Sequence, residues 1–136
     1  MSYGVSAALQ SAIYNALTAA VAVTDLVGAD IYDAMPTGTV PPLYVSIGAE
    51  TVRAANDKTG SGAVHDVRIA VVTDVQGFAA AKAVAAAISD TLHDADLTLA
   101  RGRLIYLNFD RAVADRSDAG AGRTIVLRFK ARVEDD

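Results

Sequence analysis

Apolar residues at the start of the chain recur at helical spacing. Val5, Leu9, Ala12, Ile13, Ala16, Leu17 and Ala20 share one face, which predicts a helix over about residues 5–20. Ser2 and Ser6 are its candidate N-caps. A second short helical turn is expected at Val21–Val27, ended by Gly28. The period then changes to two. Ile31-Tyr32 reads as a short strand. The loop from Ala34 to Pro42 holds three prolines and a glycine, which push the chain into extended conformations and deliver it into a strand. That strand runs over Leu43–Ala54, with Leu43, Val45, Ile47 and Ala49 alternating on one face. A polar tip, residues 55–62, joins it to a second long strand, Ala63–Thr73. There His65, Val67, Ile69 and Val71 face one way and Asp66, Arg68 and Ala70 the other. Two such strands around a polar tip predict an extended hairpin.

A second amphipathic helix is expected over Gly77–Leu92, with Phe78, Ala81, Val84, Ala85, Ile88 and Leu92 on its buried face and Asp74 near its N-cap. After the turn at Arg101-Gly102, Arg103–Asp115 reads as a strand with Ile105, Leu107, Phe109 and Val113 on one face. A glycine-rich tip, residues 116–122, leads to the last strand, Arg123–Val133. Ile125, Leu127, Phe129, Ala131 and Val133 point inward on it; Thr124, Val126, Arg128, Lys130, Arg132 and Glu134 point outward. The order α, short β, β, β, α, β, β predicts an α+β two-layer sandwich. Its sheet is mostly antiparallel, with about four long strands and the helices packed on one face. If the strands flanking the second helix are parallel neighbours, their crossover is right-handed. No repeat or linker interrupts the chain, so residues 1–136 are expected to form a single domain.

Composition adds three constraints. There is no cysteine, so disulfide and thiolate chemistry are excluded. No signal-peptide pattern opens the chain, and Ala16–Val27 is too short and too polar to span a bilayer; a protein of a reducing cytoplasm, without membrane contact, is expected. Net charge is −4, unevenly placed: from Leu99 onward eight basic and six acidic residues give +2, leaving −6 for the rest. That polarity favours head-to-tail meeting of subunits and is unlike the strongly basic footprint of a nucleic-acid binder.

Candidate chemistry is sparse. His93, Asp94 and Asp96 are spaced as metal ligands, but they cluster at one helix end, where a solvated cap is the simpler reading. No G-x-S-x-G elbow accompanies His65 or His93, and neither glycine-bearing tip opens a helix as a P-loop does. No catalytic set, metal or cofactor is therefore expected. The outward stripe Arg128, Lys130, Arg132 suits a neighbouring subunit's acidic surface or, as the weaker alternative, DNA phosphate. Arg111 and Arg123 extend it if the last two strands pair. The two polar tips, with Arg53, Asn56, Asp57, Lys58 and Thr59 on one and Arg116 and Asp118 on the other, complete the interface candidates.

Several segments, in order along the whole chain, resemble one family. They are Tyr3-Gly4-Val5 before an alanine-rich helix, Leu26-Val27-Gly28 running into Ile31-Tyr32-Asp33, Pro41-Pro42-Leu43-Tyr44-Val45, Asp57-Lys58-Thr59, Leu92-His93-Asp94-Ala95-Asp96-Leu97, and Leu127-Arg128-Phe129-Lys130-Ala131-Arg132. The chain resembles the tail terminator, or tail-completion, proteins of long-tailed phages, and in particular the version found in gene transfer agents. The resemblance implies a structural virion protein that forms a homohexameric ring at the tail neck. Such a ring caps the tail tube, stops its polymerisation and offers a docking surface to the head-side connector or adaptor protein. DNA passes through its channel without sequence-specific binding. The alternatives are another neck or tail protein, namely a head–tail adaptor or a tube subunit, and a small ligand-binding or hydrolytic α+β protein with a pocket around His65 or His93.

Overall fold

The computed structural model of the chain describes residues 3–33, 38, 40–56, 60–116 and 122–135. Its elements follow the expected order: α1 (Ser6–Ala19), α2 (Val21–Val27), β1 (Ile31–Tyr32), β2 (Leu43–Ala54), β3 (Ser61–Thr73), α3 (Ala79–Leu92), β4 (Arg103–Arg116) and β5 (Arg123–Asp135). The strands form one open sheet in the order β1-β2-β3-β5-β4. All long-strand pairs are antiparallel, and only the two-residue β1 runs parallel to its neighbour β2. The fold is thus the expected α+β sandwich. The crossover through α3 does not join neighbours, however: β5 inserts between β3 and β4. Proline-bearing residues 34–37, 39, the tip residues 57–59 and 117–121, and Ser2 lie outside the described residues.

Between the helices and the sheet sits one apolar cluster. Leu9, Ile13 and Leu17 of α1 meet Val84, Ile88 and Leu92 of α3 and the inward side chains of the sheet, including Ile69, Leu127 and Phe129. Each such side chain contributes about 1.5–3 kcal/mol by leaving water. Ala20 is extended, which separates α1 from α2 and bends the pair by 76°. No single helix among the described residues is long and apolar enough to cross a membrane. Gly28 ends α2 at φ +59°, donating its N–H to Thr24 at 2.8 Å. The expected caps are not used. Val5 and Phe78 hold the N-cap positions without side-chain bonds, Ser6 lies inside α1, and Asp74 instead donates its N–H to the Pro42 carbonyl.

Bulges overturn two expected alternations. In β2 the register shifts between Ser46 and Ala49, with Gly48 at φ +115°. Val45 and Ile47 are buried as expected, but Ala49 turns to the open face and Glu50 turns under the helices. In β4 the register shifts at Ile105 and again at Asp110. Leu107 and Phe109 keep the helix side, Val113 pairs with the outward Val126, and Ala112 and Ala114 take the inward positions. A period-two reading cannot survive an inserted residue, because each one inverts every side chain beyond it. Gly48→Ala should therefore cost about 1–3 kcal/mol by forcing a β-carbon into a left-handed backbone. A fall in the urea midpoint checks this; an unchanged midpoint would mean the bulge relaxes.

Candidate interaction surface

Helices cover one side of the sheet only, so the register decides what the other side displays. Reading across β2, β3, β5 and β4, its rows are Arg53-Val64-Arg132-Tyr106, Thr51-Asp66-Lys130-Asn108, Ala49-Arg68-Arg128-Arg111, Ser46-Ala70-Val126-Val113 and Tyr44-Val72-Thr124-Asp115. Six cations occupy the first three rows against one carboxylate, Asp66. The next row is apolar apart from Ser46. A strongly basic belt and an apolar strip thus lie side by side on one open face.

The belt is braced in part. Arg128 lies 3.6 Å from Asp66, Arg68 donates to Thr51 Oγ1 at 3.2 Å, and Arg132 donates to the Ala55 carbonyl at 3.0 Å. Arg111 faces Arg128 directly across the strand pair, and like charges so placed repel. An anionic partner surface would relieve that repulsion. Of the other predicted positions, Arg53 and Arg116 are exposed. Asn56 closes the β2–β3 hairpin by accepting the Gly62 N–H at 3.1 Å. Asp57, Lys58, Thr59 and Asp118 lie outside the described residues. Arg123 does not extend the belt: it sits at an inward register position, its guanidinium 5.2 Å from the centre of the Phe78 ring.

Beneath the helices lies a polar trio that the alternation concealed. Ser6 Oγ donates to Glu50 Oε1 at 2.5 Å, and His65 Nδ1 lies 3.0 Å from Glu50 Oε2. His65 is 0% exposed. Burial pushes the Glu50 carboxyl up, but hydrogen bonds from Ser6, His65 and Tyr3 outweigh it and hold the group below the usual carboxylate range. The carboxylate separates the serine from the imidazole, so the trio lacks the nucleophile–base contact of a serine hydrolase; it ties α1 to the sheet. The signal that reveals it is Gly48, which marks a bulge inside a strand.

His93 is also used structurally. Its Nδ1 accepts the Phe109 N–H at 3.0 Å, and the Asp94 N–H donates to the Leu107 carbonyl at 2.7 Å. The expected cap thus lies along the outer edge of β4. Among the described residues no group of three or more His, Asp or Glu side chains is placed to hold a metal. Beside α1 runs a shallow polar cleft lined by Gln10, Ser11, Tyr14, Asn15, Tyr32 and Asp33.

Comparison with known proteins agrees with this architecture. The family model described as "Tail completion protein gp17" matches residues 11–134. Among solved structures, a chain of the "Virion of native gene transfer agent (GTA) particle" is 54% identical, with a TM-score of 0.94, over 98% of this chain and 99% of that one. No curated protein matches in sequence.

Proposed function

The chain belongs to the tail completion protein gp17 family and is a structural tail protein of a virion, and from that premise we propose that it is the tail terminator of a gene-transfer-agent-like particle. Copies close into a ring, with six as the expected number. The ring sits on the last disc of the tail tube, ends its growth and receives the head-side connector. DNA crosses its channel without base-specific contacts.

The observation that carries this reading is the near full-length match, on both chains, to a component of such a particle. The molecule's own surface supports it. Catalysis needs a nucleophile or base open to substrate; His65 is enclosed, and the Nδ1 of His93 is taken by the Phe109 N–H. Assembly needs bare, chemically distinct surfaces, and the open sheet face provides a basic belt beside an apolar strip. The expected result in native mass spectrometry is a discrete ring, formed by the chain alone or on addition of tail tubes, with tubes that stop lengthening once capped. A chain that stays monomeric or dimeric at every concentration and ignores tubes would end this reading. Long polymers would instead identify a tube subunit.

A further inference from the structure

One edge of the sheet is formed by β4, and its outer backbone divides into two stretches. His93 Nδ1 accepts the Phe109 N–H, and the Asp94 N–H donates to the Leu107 carbonyl. Leu107 and Phe109 therefore turn their backbone groups away from β5 and have them capped. The extra residue at Asp110 inverts this parity, so beyond it Ala112, Ala114 and Arg116 turn theirs outward. Among the described residues no backbone group of another element meets them from outside, and every residue from Asp110 to Arg116 is exposed. The five residues between Arg116 and Gly122 are too few to run back to Val113 and return. Bare strand edges are templates for another strand, and here the capping stops where the free stretch begins.

The residues of the free stretch say which strand fits it. Asp110-Arg111-Ala112-Val113-Ala114-Asp115-Arg116 reads the same from either end with its charges exchanged. Laid antiparallel against a second copy about Val113, it sets Arg111 opposite Asp115, Asp110 opposite Arg116 and Ala112 opposite Ala114. Opposite charges directly across a strand pair attract and like charges repel. No other antiparallel register sets all four charges opposite an opposite sign. A slip of one residue brings Asp110 against Asp115 or Arg111 against Arg116. The faces agree as well. On the open face Arg111, set beside Arg128, gains a carboxylate. Val113, 44% exposed and beside Val126, meets its own copy, so the apolar row Ala70-Val126-Val113 continues across the axis. On the helix side the central side chains at the seam are Ala112 and Ala114, which leave the approach clear.

We propose that two copies of this chain pair through residues 110–116 of β4, antiparallel about a twofold axis at Val113, and so join their two five-stranded sheets into one. By the backbone parity, Ala112 and Ala114 exchange hydrogen bonds with their opposites. Val113 forms the close, non-hydrogen-bonded pair, its Cα about 4.5 Å from its copy. Asp115 Oδ1, which accepts the Arg116 N–H at 2.8 Å in the single chain, turns to the second copy's Arg111 as that N–H takes a carbonyl instead. The contact is isologous, whereas neighbours in a sixfold ring meet through two different surfaces. It is therefore separate from the ring contact and goes beyond the ring reading: it is the form of the free chain, with this edge covered before the tube is met. Seven residues a side make a small contact, which keeps the pair reversible.

Charge exchange tests the register. Arg111→Asp with Arg116→Asp makes the stretch wholly acidic, and Asp110→Arg with Asp115→Arg makes it wholly basic; circular dichroism checks that each folds. In native mass spectrometry without tubes, the unmodified chain should show a dimer. Each variant alone should dimerise at least about tenfold more weakly, and an equimolar mixture should form the mixed dimer. A folded variant that dimerises as well as the unmodified chain, or a mixture without the mixed dimer, overturns the proposal. Should either variant fail to fold, Val113→Cys decides. In this cysteine-free chain mild oxidation should link Val113→Cys into dimers, and should link Ala112→Cys, whose opposite is Ala114, far more slowly. No linkage, or equal rates, overturns the pairing. The ring reading is judged apart from it. A free chain that passes straight from monomer to ring overturns the pair and leaves the ring standing, whereas a dimer that ignores tail tubes supports the pair and ends the ring reading.

Discussion

Phe129→Ala should lower folding stability by about 3–5 kcal/mol, a large share of the roughly 5–15 kcal/mol available to a domain. Phe129 is 0% exposed and sits on β5 between β3 and β4. Its ring meets Phe109 edge-to-face, with centroids 5.8 Å apart. Removing it takes away the largest fully buried side chain and opens a void among Val67, Leu107 and the face of α3. The sheet cannot collapse to fill it, because β5 is held on both sides by ladders that span almost its whole length. Urea unfolding should show the midpoint fall with an unchanged slope. Phe129→Leu should lose less than half as much, since it keeps most of the volume. Equal losses would show that the site relaxes and that the edge-to-face contact, not volume, dominates.

Glu50→Ala should cost about 2–4 kcal/mol, chiefly through the polar partners it leaves behind. The alanine would leave Ser6 Oγ and His65 Nδ1 without their partner, and His65 Nε2 already has none among the described residues. A fully buried imidazole with both nitrogens unsatisfied is expensive because water cannot reach it. Replacing Glu50 and His65 together by leucine should therefore lose less than Glu50→Ala alone. The same carboxylate should make stability depend on acid. Its folded pKa is held below the unfolded value. Its contribution is therefore complete above the unfolded value of about 4.3 and disappears as pH falls through the folded one. Between pH 5 and pH 3 the native chain should lose more stability than Glu50→Gln. Parallel losses in the two proteins would show that another carboxylate sets the acid limit.

Much of the fold is legible in the residue pattern. The helix faces through Leu9, Ile13 and Leu17 and through Val84, Ile88 and Leu92 obey their period, as does β5 from Ile125 to Val133, because nothing in those segments interrupts it. The candidate surface is only partly legible. Arg128, Lys130 and Arg132 share a face by simple alternation, whereas Arg111 joins them through the bulge at Asp110 and Arg123 leaves them by parity. Alternation along β3 turns Arg68 outward, but only the pairing of β3 with β5 sets it beside Arg128.

What the sequence determined by itself is local: where the period is 3.6 and where it is 2, where glycine and proline stop each run, and that one flank of the chain is acidic and the other basic. The tertiary structure decided everything that depends on a neighbour. It inserted β5 between β3 and β4, turned Glu50 inward to His65, laid His93 along an edge and gathered six cations into one belt. Those outcomes depend on contacts between residues far apart in the chain, and a bulge of one residue is enough to reverse them. Periodicity reports which side of an element is buried; only packing fixes what that side, and the opposite one, will meet.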